Sequence, residues 1–241
     1  METAGKRVLA LIRHGAYAQP PGVPSAHLPY ALTADGRAQA GKAALAIVAF
    51  ADAEGLEIDA VIDCSRMRRA WETAHLIGAA LTARTGQRFG CREFDALAER
   101  CVGAAANLSV DAIESLLRDD PRYGPPARGW KRDPEYRLPF QGAESLAEAG
   151  ERVARHLGAC ADGPPGQRTL KLIVGHGGAF RHAASSLGAL SPEQVSELSM
   201  QYCSPIYFEY QRDSSGLGRL VHKAGSWTPR SERIASSVAL D

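Results

Sequence analysis

The sequence predicts an α/β fold: a three-layer α/β/α sandwich on a mostly parallel sheet, with an antiparallel hairpin at one edge and a lid insertion. Three observations predict it. Short apolar runs at residues 8–12, 60–64 and 170–174 are bounded by polar residues, as in strands buried on both faces. Amphipathic helical patterns lie between them, the alternation that covers a parallel sheet with helices. Near the C-terminus, residues 206–210 and 219–222 flank Asp213-Ser214-Ser215-Gly216, which reads as a hairpin closing a sheet edge.

Taken in order, the first strand runs into Arg13-His14-Gly15. Thr33 is placed to cap an Ala-rich helix reaching about Glu54, and the longest apolar run, residues 43–51, falls inside it and reads as buried helix. The strand at 60–64 is followed by Met67, Ala70, Trp71, Ala74, Ile77 and Leu81, whose spacings of three and four give a second helix. An edge strand expected near 89–94 leads to Leu97-Ala98-Glu99-Arg100. Residues 104–141 hold five prolines and one short helical pattern, 109–118, so they are expected to form a lid or insertion. Ser145 and Glu148 form a capping box ahead of Leu146, Ala149, Val153 and Leu157, the stripe of a third helix. The strand at 170–174 delivers Gly175-His176-Gly177, and the polar residues from about Ser226 are expected to be a loose tail. Residues 1–241 are thus expected to be a single domain, for which 241 residues supply one sizeable core.

Composition narrows the function. A formal charge of +1 argues against a generic nucleic-acid or anionic-membrane binder. Five widely spaced cysteines with no CxxC pair argue against a disulfide framework or a zinc site and fit a cytoplasmic protein. The five apolar residues at 8–12 are too few for a signal sequence or a membrane span.

Ligands of open parallel sheets bind outside the carboxyl ends of the strands. Arg13 and His14 end the first strand, Arg69 follows the second by five residues in the first turn of a helix, and His176 ends the third. These four side chains can converge on one crevice. Two guanidinium forks and two imidazoles suit a phosphoryl group: arginine binds its oxygens bidentately, and neutral imidazole is a nucleophile near pH 7. A carboxyl group must then protonate the departing alkoxide, and Glu99 is the best-placed candidate. A zinc site on His14 and His176 lacks a third His or Cys at ligand spacing.

These stretches resemble the histidine phosphatase superfamily, the phosphoglycerate mutase-like group. Arg13-His14-Gly15 matches its RHG signature, and residues 32–40 are similar to LTxxGxxQA. Residues 65–74 resemble SxxxRAxxTA, which assigns the second arginine to Arg69 rather than Arg66 or Arg68. Glu99 with Gly103 resembles LxExxxG, Gly142-Ala143-Glu144-Ser145 resembles GxES, and Gly175-His176-Gly177 supplies the second histidine. The resemblance implies a phosphohistidine formed on His14. Arg13, Arg69, Gly177 and a protonated His176 would hold the phosphoryl group, and Glu99 would act as acid and then base. It calls for no metal and no cofactor. Ala16 and Tyr17 depart from the polar residues that commonly follow RHG, no Asn occurs in that loop, and Glu72 replaces a common Gln.

The expected function is therefore metal-independent hydrolysis of a small phosphorylated metabolite. Phosphoglycerate mutase-type transfer is the alternative within the enzyme class, although residues 104–141 look short for it. A catalytically silent phosphate-binding module is the alternative outside that class. His27, His75, His156, His182 and His222 read as structural or surface residues, and Glu144 and Ser145 as helix caps. Five basic residues in 122–137 would favour a further anionic group on the substrate if they faced the site. The chain is expected to be a monomer or a homodimer paired through the hairpin edge.

Overall fold

The computed structural model describes residues 7–20, 22–23, 27–164 and 166–230. The chain begins with strand β1 (Arg7–Arg13) and helix α1 (Ala34–Glu54), then short β2 (Glu57–Ile58), β3 (Val61–Ser65), α2 (Arg68–Thr85) and β4 (Gly90–Phe94). Helix α3 (Val110–Asp119) lies in the insertion. Then come α4 (Leu146–Ala159), β5 (Thr169–Gly175), α5 (Gly177–Ser186), α6 (Pro192–Glu197) and β6 (Leu198–Ser199). The hairpin is β7 (Ile206–Arg212) and β8 (Gly218–Ala224), and β9 (Thr228–Pro229) pairs with β6.

The sheet order is β4-β3-β5-β1-β7-β8, with β2 beside β5. Pairs among β1, β3, β4 and β5 are parallel, and β7 and β8 run antiparallel to their neighbours. Alternation along the strands creates two cores. Val8, Ala10 and Ile12 face Ala40, Ala44 and Ile47 of α1 and Ala70, Ala74 and Ile77 of α2. Leu9, Leu11 and Ile173 face Val153 and Leu157 of α4 and Phe180 of α5. Helices therefore cover both faces, as expected from the strand–helix alternation.

The helix starts follow their local chemistry. Thr33 accepts the Gly36 amide and caps α1, while Ser145 and Glu148 close a reciprocal capping box on α4. The apolar run at 43–51 is only half buried: Ala43, Ala44, Ile47 and Ala51 meet the core, whereas Leu45 is 47% exposed. Helical periodicity decides this, since a run longer than one turn must present some residues outward.

Residues 104–141 fold around their own small apolar cluster of Ile113, Leu117, Trp130 and Leu138, closed at the base by the Val102–Ala143 bridge. The loose tail expected from about Ser226 is corrected for residues 226–230. Trp227 packs on the α5 side of the sheet and Thr228–Pro229 pair with β6; residues 231–241 lie outside the described residues. No helix among the described residues is long and apolar enough to cross a membrane.

Candidate active site

The site stands at the carboxyl ends of β1, β3 and β5. The His14 amide donates to the Gly175 carbonyl at 3.0 Å, which ties the end of β1 to the strand that delivers His176. The turn after His14 presses onto the start of α1. A Cβ on Gly15 would lie 2.6 Å from the Gly36 carbonyl oxygen, and one on Gly36 would meet the Ala16 carbonyl at 2.0 Å. Only glycine permits that approach at both positions, which is the physical content of the RHG and LTxxG motifs.

His14 is 3% exposed. Its Nδ1 lies 2.8 Å from the Gly15 carbonyl oxygen, which can only accept, so Nδ1 carries the proton. Nε2 is then the basic nitrogen, and Arg69 Nε donates to it at 3.1 Å. Arg69 is fully buried, donating also to the Leu28 carbonyl at 3.1 Å and meeting His176 Nδ1 at 3.2 Å. Thr73 fixes this turn of α2 by donating to the Arg69 carbonyl at 2.7 Å and accepting the Gly15 amide at 3.0 Å.

A guanidinium cannot accept, so Nδ1 of His176 is the acceptor and its neutral ring carries the proton on Nε2, 3.0 Å from Ser65 Oγ. Burial, Arg69, His14 and Arg13 hold the His176 pKa well below the usual 6.5. In the ligand-free site, among its own cations, the residue is therefore neutral. Arg13 donates to the Met200 carbonyl at 2.8 Å and stacks on Tyr202, with Cζ 3.9 Å from the ring centroid.

Glu99 reaches the same place by another route. Its carboxylate accepts the amides of Gly178 at 3.1 Å and Ala179 at 3.0 Å, in the first turn of α5, and the Arg100 amide at 3.0 Å. Gly177 lies against Arg13, since a Cβ there would meet Cδ at 3.1 Å. The five candidates His14, Arg13, Arg69, Glu99 and His176 are therefore gathered at one strand end, with Gly177 packed beside them.

Several residues escaped sequence reasoning. Tyr17 and Tyr202 wall His14, with ring centroids 5.4 and 5.6 Å from that of His14. Glu144 does not cap a helix. It takes two bonds from Arg152, at 2.6 and 3.3 Å, and the Cys101 amide at 2.9 Å. Arg152 in turn donates to the carbonyls of Asp95, Ala96 and Ala98, so this pair grips both sides of the loop that carries Glu99. His27 is also at the site. Its pKa is lowered by burial and by Arg69, it feels Glu144 and Glu99, and its buried Nε2 has no hydrogen-bond partner among the described residues. The only sequence signal for it was the missing Asn in the same loop. Glu72 accepts the Leu32 amide at 2.9 Å and Arg37 at 2.6 Å, so the departure from Gln adds an ion pair behind the loop.

The basic residues of 122–137 do not form one patch over these side chains. Arg122 pairs with Asp120 and Arg137 with Glu148. Lys131 and Arg132 line a separate cavity of about 430 Å³ beside α5, which shares none of the five gathered residues.

The family pattern described as histidine phosphatase superfamily (branch 1) matches residues 9–222. The chain is 31% identical over 159 residues to 2,3-bisphosphoglycerate-dependent phosphoglycerate mutase 2 of Gloeobacter violaceus, covering 65% of this chain and 67% of that protein. Among solved structures, mycobacterial glucosyl-3-phosphoglycerate phosphatase with VO3 is similar at a TM-score of 0.63 and 25% identity, over 91% of this chain and 100% of that one. The α-ribazole phosphatase of Shigella flexneri is similar in fold at a TM-score of 0.62 and 20% identity, over 89% of this chain and 95% of that one.

Proposed function

The chain belongs to the histidine phosphatase superfamily, and from that premise we propose that it hydrolyses a small phosphomonoester through a phosphohistidine on His14. The observation that carries this reading is the fixed tautomer of His14: Nδ1–H is held by the Gly15 carbonyl, and Nε2 is directed at Arg69. In the first step Nε2 forms a bond to phosphorus as the ester P–O bond breaks, and Glu99, having taken a proton from the monoanionic ester as it binds, gives it to the leaving oxygen. Arg69 passes from the Nε2 lone pair of His14 and from His176 Nδ1 to the phosphoryl oxygens, where Arg13 also binds, and the charge of the bound phosphoryl group lets His176 Nδ1 take a proton and donate to it. Water then attacks phosphorus, Glu99 takes its proton, and the P–N bond breaks to release phosphate. Fixed cations hold the charge throughout, so the reading requires no metal.

His27 fills the place of the absent Asn. In this reading the neutral His27 ring, close enough to Arg69 and Glu99 to feel both charges, holds its proton on Nε2 and donates it to the substrate. Similarity to two phosphatases of this fold supports hydrolysis. The printed name of the Gloeobacter relative favours a second reading, transfer of the phosphoryl group between phosphoglycerates.

A panel of phosphomonoesters assayed for inorganic phosphate, with His14→Ala as control, tests both. Phosphate release at one per substrate, with an acid-labile phosphoryl group trapped on the wild-type protein, is the expected result. Release that persists in His14→Ala would sink the mechanism, and stoichiometric transfer with little free phosphate would assign the mutase.

A further inference from the structure

Away from the site, β3 and α4 bring together three groups that the reaction does not use. Asp63 lies on the same side of β3 as Ser65, one pleat repeat before it, and faces His156 in the last turn of α4 and Cys160, the residue that caps its C-terminus. His156 Nε2 is 3.0 Å from Asp63 Oδ2, Cys160 Sγ is 3.4 Å from the same oxygen, and the sulfur is 3.5 Å from Nε2. All three residues are buried or nearly so, and the Phe94 ring covers His156 at 4.4 Å between centroids.

We propose that Asp63, His156 and Cys160 bind one divalent transition-metal ion of the zinc class. Oxygen, imidazole nitrogen and thiolate are the donor set such ions take. Bonds of about 2.0–2.3 Å at tetrahedral angles need ligand atoms about 3.3–3.6 Å apart. The three separations here lie within about 0.4 Å of that triangle. Hydrogen bonds satisfy these groups in the metal-free protein, so the site folds without the ion.

Binding changes two protons. The thiol, pushed up to about 12 by burial and Asp63, loses its proton to solvent as the S–metal bond forms. The His156 Nε2 proton moves to Nδ1 by tautomerisation, which opens Nε2 to the metal; water takes the fourth position. Thiolate and carboxylate together match the charge of the ion. Lys171 stays on the other carboxylate oxygen, Oδ1, at 2.7 Å, and donates to the Val61 carbonyl at 2.7 Å. With Arg7 and Asp59 nearby it leaves one net positive charge, so binding is weaker than at cysteine-rich structural zinc sites. The ion would join β3, whose end holds His176 through Ser65, to α4, whose Arg152 holds the Glu99 loop.

The test is titration of chelator-stripped full-length protein with Co²⁺ as the spectroscopic probe. The expected result is one equivalent bound, with tetrahedral visible bands and a thiolate-to-cobalt charge-transfer band that Zn²⁺ displaces. Cys160→Ser should abolish the charge-transfer band and His156→Gln should weaken binding about tenfold or more. Cys101→Ser and His14→Ala should leave both unchanged. In the unaltered protein, one equivalent of Zn²⁺ should raise Tm, a readout that depends on no variant. Three results would each overturn the proposal: no sulfur-to-cobalt band, a band retained in Cys160→Ser, or binding that disappears in His14→Ala.

Discussion

Gly178→Ala isolates the placement of Glu99 from every other part of the proposed chemistry. Gly178 is the second residue of α5, and a methyl group there would lie 2.6 Å from Glu99 Oε1 and 2.9 Å from Oε2. Ordinary contact begins at 3.4 Å, so the carboxylate must retreat by about 0.8 Å or turn off the Gly178 and Ala179 amides. Alanine favours a helix over glycine by up to about 1 kcal/mol, so the fold should survive. A misplacement near 1 Å costs on the order of 10²-fold, and a general acid contributes about 10²–10⁴-fold. For an alkyl phosphate, kcat should fall about 10- to 100-fold with KM little changed. An aryl phosphate with a good leaving group needs no acid in the first step, so its pre-steady-state burst of phenolate should stay within about twofold of wild type. Steady-state release should still slow, because Glu99 also activates water. Rapid-quench kinetics on both substrates measure this. Equal loss of burst and turnover on the two esters, or an unchanged kcat on the alkyl ester, would refute the acid–base role of Glu99.

Other perturbations follow from the same geometry. Arg69→Ala leaves His14 Nε2, His176 Nδ1 and the Leu28 carbonyl without their buried donor; kcat should drop about 10²–10³-fold and stability by about 1–3 kcal/mol, read by steady-state kinetics and urea denaturation. His27→Ala should raise KM for the ester about tenfold, while circular dichroism shows the same fold; an unchanged KM would remove His27 from the substrate site. His182 is held neutral by burial and the cations Arg181, Arg230 and Arg100, with its pKa lowered to about 4. The unfolded chain binds a proton there below about 6.5 and the folded one only near 4, so stability should fall as pH drops through that window. His182→Asn should flatten that slope in a Tm series across the window, and an identical slope would exclude His182 as its source.

Much of the fold and the candidate quartet was legible because local patterns encode them. Thr33, Ser145 and Glu148 satisfy helix amides within a few residues, and the apolar strands need only their own hydrophobicity to mark them. Arg13, His14, Arg69 and His176 all lie at or just beyond strand ends, so topology carried them to one place. The choice of Arg69 over Arg68 came from the family pattern, and burial in the tertiary structure shows why the phase matters: Arg69 is fully enclosed where its neighbour is exposed.

Other features were not legible because they depend on pairs far apart in sequence. Glu144 and Arg152 read as a helix start until both sides of the Glu99 loop close around them. His27 looked like any surface histidine until Arg69 came near it, and the tail at 226–230 was polar by composition yet completes a two-stranded pairing with β6. Short-range periodicity, capping and strand ends encode the elements, their order and which side chains can meet a phosphoryl group. Only the tertiary structure decided which nitrogen of His14 is basic, that His176 is neutral, and that Glu99 rests on the amides of α5. The Gly15 carbonyl that holds His14 Nδ1 is its neighbour in sequence, but burial and partners 55 to 107 residues away orient the rest: Arg69 on both imidazoles and the α5 amides on Glu99.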